Sequence, residues 1–153
     1  MKSQKRLRRV AMSPSELNAF LAEERTCRIA TVNDLGPHIT PMWFVWDGGC
    51  LWISSQIRTQ RWIDITRRAR VAVMVDAGTE LTDLRGAEFI GDAEVVGEVP
   101  RAGTSDPDLV VPEKLFAEKY FGSGTMDHDG KHAWLRIRPS AVRSWDLRKT
   151  ATL

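Results

Sequence analysis

The chain has 153 residues, 42% apolar and 27% charged, with a formal net charge of +2. That length suits one domain burying roughly 68–70% of its unfolded surface, with no need of disulfides or a structural metal. The longest apolar run, Ile39 to Trp46, is broken by Thr40 and Pro41 and falls far short of the ~20 residues of a membrane span. The charge is unevenly placed: Arg58 to Arg70 holds five arginines against Asp64, and Asp76 to Glu98 holds seven acids against Arg85. Clustered cations at the ends of two elements fit a small anionic ligand better than a nucleic acid, which is not expected as a partner.

Residues 1–11 carry Lys2, Lys5, Arg6, Arg8 and Arg9 and are expected to form a flexible basic arm ahead of a single domain over 12–153. The basic start leads straight into a helix start, so no secretory leader is expected. Ser13, Pro14 and Glu16 spell an N-cap, a first-turn proline and a capping-box glutamate, followed by Leu17, Phe20 and Leu21 on one face. The helix should end near Glu24. From Cys27 the period becomes two. Cys27 to Val32 is a predicted strand, residues 33–37 a turn, and His38 to Trp46 a second strand. Pro41 lacks an N–H, so this strand should lie at an edge or turn its amides toward something other than a neighbour. After Asp47-Gly48-Gly49, Cys50 to Ser55 completes a predicted three-stranded meander.

A polar turn holding Arg58, Thr59 and Arg61 then opens a helix with Trp62, Ile65 and Ala69 on its apolar side. A strand ending in Ser54 and Ser55, feeding a helix N-terminus beside two guanidiniums, is a candidate phosphate site: free N–H groups, hydroxyls and the helix dipole would converge on one anion. Val71 to Asp76 reads as a buried strand. Gly86 to Val99 reads as a long one in which Gly91 and Gly97 mark bulges or bends. Pro112 opens a last helix stopped by Gly122, and His132 to Arg138 and Ala141 to Leu147 close the chain as two strands. The sum is mainly β (α+β): about seven antiparallel strands with two to three small helices, arranged as a barrel too small to hold a ligand inside. Cys27 and Cys50 sit in strand patterns without metal spacing, as buried thiols of a cytoplasmic protein. His128 and His132 lack a converging third ligand, so no metal is expected. His38 has no evident carboxylate partner, and no side chain stands out as a proton donor. The six tryptophans read mostly as core, with one or two left for a groove or a subunit contact.

Three segments in order, Arg28 to Trp43 (RIATVNDLGPHITPMW), Trp52 to Arg61 (WISSQIRTQR) and Arg85 to Glu94 (RGAEFIGDAE), resemble the pyridoxamine 5′-phosphate oxidase-like split β-barrel superfamily. The ending WLRIRP (134–139) with SWD (144–146) is similar to its actinobacterial members. Within it the chain looks most like the flavin/deazaflavin oxidoreductases of group B, many of which use coenzyme F420. The resemblance implies an FMN-binding-like split barrel, a homodimer with cofactor at the subunit interface, and hydride transfer to a small organic substrate. Carried over by position, Thr40, Pro41, Met42 and Trp43 run along the isoalloxazine or deazaflavin ring. Ser54, Ser55, Thr59, Gln60 and Arg61 hold the ribityl phosphate, and Arg85 and Gly86 complete the cofactor-binding positions. Arg58, Arg67 and the N-terminal arginines would meet the acidic oligoglutamate tail of F420. Arg61 stands where lysine is usual, and Gly86 where the oxidases proper carry a ring-touching glutamine. FMN is the alternative cofactor, and a flavin- or F420-binding protein without turnover the alternative function.

Overall fold

The computed structural model describes Gln4 and residues 7–152; Lys2, Lys5 and Arg6 of the basic arm lie outside them. Helix α1 (Pro14–Glu23) starts as its sequence dictates: the Ser13 hydroxyl accepts from the Glu16 N–H while the Glu16 side chain accepts from the Ser13 N–H. Its Phe20 and Leu21 are buried in the core. Seven strands follow, β1 (Thr26–Asn33), β2 (Gly36–Trp43), β3 (Val45–Asp47), β4 (Cys50–Gln56), β5 (Arg70–Ala77), β6 (Arg85–Val96) and β7 (His132–Asp146), with α2 (Gln60–Arg67) after β4 and α3 (Val110–Phe121) after β6. They form one antiparallel sheet in the order β2-β1-β5-β6-β7-β4-β3. The sheet curls into a half-barrel around Ile29, Leu51, Ile53, Val73, Phe89 and Leu135.

The strand total matches the sequence reading, but its partition differs twice. The predicted strand 38–46 breaks at Phe44: Trp43 ends the ladder with β1, and Val45–Asp47 pairs with β4 at the far end of the sheet. The Tyr120 hydroxyl fixes the break. It accepts from the Phe44 N–H at 2.9 Å, and the Arg25 and Phe44 carbonyls both lie 2.7 Å from it. The expected meander is therefore replaced by a split, with β2 on one edge as Pro41 requires. Conversely, the two predicted closing strands are one. Pro139 is accommodated beside a bulge, since Ile90 pairs with Ala141 and Gly91 with Pro139, leaving Ser140 as the extra residue on β7; a Cβ on Gly91 would lie 2.3 Å from the Arg138 carbonyl oxygen.

Of the basic arm, Arg8–Val10 form a short 3-10 turn with Val10 buried. The Gln4 side-chain amide pairs with the Ser144 backbone, donating at 3.1 Å and accepting at 3.0 Å. Among the described residues no helix is long and apolar enough to cross a membrane.

Candidate functional site

Helix α2 lies over the split. Thr59 caps it, accepting from the Trp62 N–H while its own hydroxyl donates to the Gln56 carbonyl at 2.9 Å. The cap turns Arg61 inward, where it is 7% exposed. Its Nη1 donates to Thr40 Oγ1 on β2 at 2.8 Å, and its Nε and Nη2 donate to Ser55 Oγ on β4 at 3.3 and 3.2 Å. One guanidinium thus ties together two strands that share no ladder.

No carboxylate lies within ion-pair distance of Arg61 among the described residues. A buried charge is costly unless paired, and burial lowers the pKa of this arginine. A guanidinium stays protonated all the same, so the seam holds a buried cation with no carboxylate to neutralise it. Arg101 is the contrast. Also buried, it is matched by Glu98 and Glu113, each at 2.7 Å.

Beside Arg61, Asp64 is 2% exposed and accepts from Gln60 at 2.7 Å, Thr31 at 2.9 Å and Asn33 at 3.3 Å. Those hydrogen bonds, Gln60's first, hold its carboxyl below the usual range against the cost of burial. The same carboxylate lies 3.8 Å from His38 Nδ1, a buried atom with no hydrogen-bond partner among the described residues. The carboxylate neighbour that the sequence did not reveal for His38 is therefore Asp64.

A groove of about 700 Å³ is lined by Pro41, Met42, Trp43 and Ser54; Ser54 and Ser55 alternate across β4, so the Ser55–Arg61 contact lies on the other face of that strand. The far wall of the groove is aromatic. Trp43, 45% exposed, stacks on Tyr120 at 4.5 Å with an interplanar angle of 10°, and Phe116 and Phe121 flank it. His128 and His132 line the same groove. His128 Nε2 pairs with Glu113 at 3.2 Å, and Glu113 also accepts from Trp134 Nε1 at 3.1 Å. His132 Nδ1 lies 2.7 Å from Asp129.

The structure brings Thr40, Ser55 and Arg61 together and, separately, Pro41, Met42, Trp43 and Ser54 along the groove. Thr59 is consumed by capping, Gln60 by Asp64, and Arg58 stands on an exposed rim near Lys131. Arg85 and Gly86 do not join them within one chain. Arg85 lies 3.6 Å from both Glu23 and Glu24 and over the Phe20 ring at 5.2 Å. A Cβ on Gly86 would come 2.5 Å from Trp145 Cζ2, so the indole takes the room that a glutamine would need. The sequence did not point to Asp64, Arg101, Glu113 or the two histidine–carboxylate pairs; the one local signal was the Asp129-x-x-His132 spacing.

A half-barrel of seven antiparallel strands with helices packed on it is a split β-barrel fold. The family match is specific: residues 13–146 match the model described as pyridoxamine 5′-phosphate oxidase, and the chain belongs to that family. Among solved structures it is similar to the conserved hypothetical protein Rv2991 from Mycobacterium tuberculosis, with 26% identity over 98% of this chain and 93% of that one and a TM-score of 0.77. An F420 reductase is also 26% identical over 82% and 94% of the two chains, with a TM-score of 0.60. The FAD and heme binding protein from Mycobacterium smegmatis, 16% identical over 90% and 73%, shares the fold with a TM-score of 0.70. No curated protein matches the chain.

Proposed function

We propose that this protein is an oxidoreductase that binds a phosphorylated deazaflavin, coenzyme F420, and moves a hydride between its ring and a small organic substrate. The observation that carries the reading is Arg61, a buried guanidinium held by Ser55 and Thr40 with no carboxylate to neutralise it. A cofactor phosphate would supply the missing charge and take up the free N–H groups. Pro41, Met42 and Trp43 would then flank the ring, whose own chemistry is two-electron hydride transfer. The protein's share is to bind, orient and exclude water.

Exposed Arg58 and Lys131 on the rim suit an acidic tail, and the similarity to an F420 reductase points the same way. FMN is the second reading, favoured by the family match itself, because phosphate contacts serve either cofactor.

A homodimer completes the site in this reading. The outward face of edge strand β2 shows Pro37, Ile39, Pro41 and Trp43 to solvent, an unpaired apolar stripe that a second copy would cover, bringing its own Arg85 and Gly86 toward the ring. The two free, buried thiols, Cys27 and Cys50, accord with a cytoplasmic location.

The test is single turnover. Protein loaded with reduced F420 or FMN is offered quinones, enones and tetrapyrroles, and cofactor oxidation is followed spectroscopically. Oxidation faster than that of free cofactor is expected with at least one class. Binding without acceleration by any of them would make the protein a cofactor carrier.

A further inference from the structure

We infer that His132, positioned by Asp129, is the proton donor of this site. The inference rests on the oxidoreductase reading above and supplies what hydride transfer leaves unbalanced. Adding a hydride to a conjugated C=C–C=O brings two electrons and one hydrogen to the β-carbon. The π pair moves toward oxygen, and the resulting enolate needs one proton at the α-carbon. A reduced deazaflavin or flavin, when bound, would supply that hydride and be left oxidised. His132 gives up the Nε2 proton of its imidazolium, is left neutral, and regains a proton from water at the groove mouth.

The geometry singles out this residue. His132 opens β7 opposite Gln56 of β4, two pairs along the ladder from the Ser54–Trp134 pair, so it shares the face on which Ser54 meets the groove. Its Nδ1 is 2.7 Å from Asp129 Oδ2. Asp129 is itself fixed: its Oδ1 accepts from the Lys131 and His132 backbone N–H groups at 2.8 and 3.2 Å. Those bonds, the Lys131 amide's first, keep its carboxyl below the usual carboxylate range. With Nδ1–H donated to a carboxylate, the ring orientation is set and Nε2 is the nitrogen left for the groove; it makes no hydrogen bond among the described residues. The side chain is 34% exposed, enough for exchange with water.

The neighbouring charges leave His132 this role. Arg101 donates its backbone N–H to the His132 carbonyl at 2.8 Å, but its guanidinium is neutralised by Glu98 and Glu113. Lys131 and Asp127 are exposed. His128 is disqualified: its Nε2 is taken by Glu113, and its Nδ1 is packed so closely on Gly103 that a Cβ there would come within 3.0 Å.

The test compares wild type, His132→Gln and Asp129→Asn in two arms. In the first, cofactor-free protein is titrated with p-nitrophenolate, a planar oxyanion that mimics the enolate, by its absorbance. His132→Gln should bind it about ten-fold more weakly, the loss of one charge-assisted hydrogen bond. In the second, protein loaded with reduced F420 or FMN is mixed with 2-cyclohexen-1-one. His132→Gln should slow single-turnover oxidation about a hundred-fold or more, while affinity for oxidised cofactor stays at the wild-type value. Asp129→Asn, a positioning variant, should lower the limiting single-turnover rate and leave the half-saturating cyclohexenone concentration unchanged. Equal p-nitrophenolate affinity in wild type and His132→Gln overturns the inference. So does a variant that loses the anion yet keeps the rate, since His132 would then bind oxyanions without delivering a proton. Failure of wild type to bind either cofactor is a different result, read in its own titration, and overturns the oxidoreductase reading.

Discussion

Replacing Arg61 by alanine separates a ligand-binding role from a structural one. In the free protein the side chain makes three N–H···O contacts to two hydroxyls, and each such bond contributes about 0.5–1.5 kcal/mol net. Opposing them is the desolvation of an unpaired guanidinium, several kcal/mol in a buried site. The two nearly cancel, so Arg61→Ala should change unfolding free energy by no more than ~2 kcal/mol. At roughly 2–4 °C per kcal/mol for a chain of this size, the melting temperature should move by less than about 8 °C. Ligand binding has no such cancellation. Losing a charge-assisted bond to phosphate costs about 1.5–3 kcal/mol, roughly ten- to a hundred-fold in Kd. Fluorescence titration with F420 and with FMN, beside a thermal melt, reads both quantities. Unchanged affinity together with a larger loss of stability would refute the reasoning and make Arg61 a strut between β2 and β4.

Other consequences concern the frame around the site. Lys119 donates to the Leu21 carbonyl at 3.0 Å, and burial, then nearby Arg25, pushes its ammonium down to about 8 from an ordinary 10.5. Between those values the unfolded chain holds a proton that the folded chain has released, so this group's contribution to stability rises with pH from about 8 to 10.5. Lys119→Met removes the penalty that is present below that window. Its advantage over wild type in thermal melts should therefore shrink as pH climbs through it, and a constant difference would contradict the assignment. Ser13→Ala breaks the capping box of α1 and should cost about 1 kcal/mol in denaturant unfolding without affecting cofactor titrations. Gly86→Ala drives a Cβ into the Trp145 indole; a loss of about 1–3 kcal/mol is expected, with altered tryptophan fluorescence.

What the sequence disclosed and withheld follows the range of the interactions. The capping box, the Gly122 stop and the bulge at Gly91 are local chemistry and were legible. The convergence of Ser55 and Arg61 was legible too, since six residues separate them across one strand–helix turn. Thr40 as the third member was not foreseen: the family resemblance set it along the ring, and β2 reaches Arg61 only through the curl of the whole sheet. The break at Phe44 left no local mark: the apolar run continues through Trp43, Phe44 and Val45, and the Tyr120 hydroxyl that fixes it comes from 76 residues away. Asp64 read as one acid among arginines; its burial depends on Thr31 and Asn33 of another strand. Pro139 argued for two closing strands; β7 runs on because a bulge at Ser140, opposite Ile90 and Gly91 of β6, absorbs the irregularity beside it.

The central claim is that the seam between β2 and β4 receives the phosphate of a flavin-type cofactor. The direct measurement is fluorescence titration of cofactor-free protein with oxidised F420 and, separately, FMN. Saturable binding of F420 at micromolar concentration or below, competed by inorganic phosphate and weakened in Arg61→Ala, is the predicted result. Absence of binding to either cofactor would contradict it.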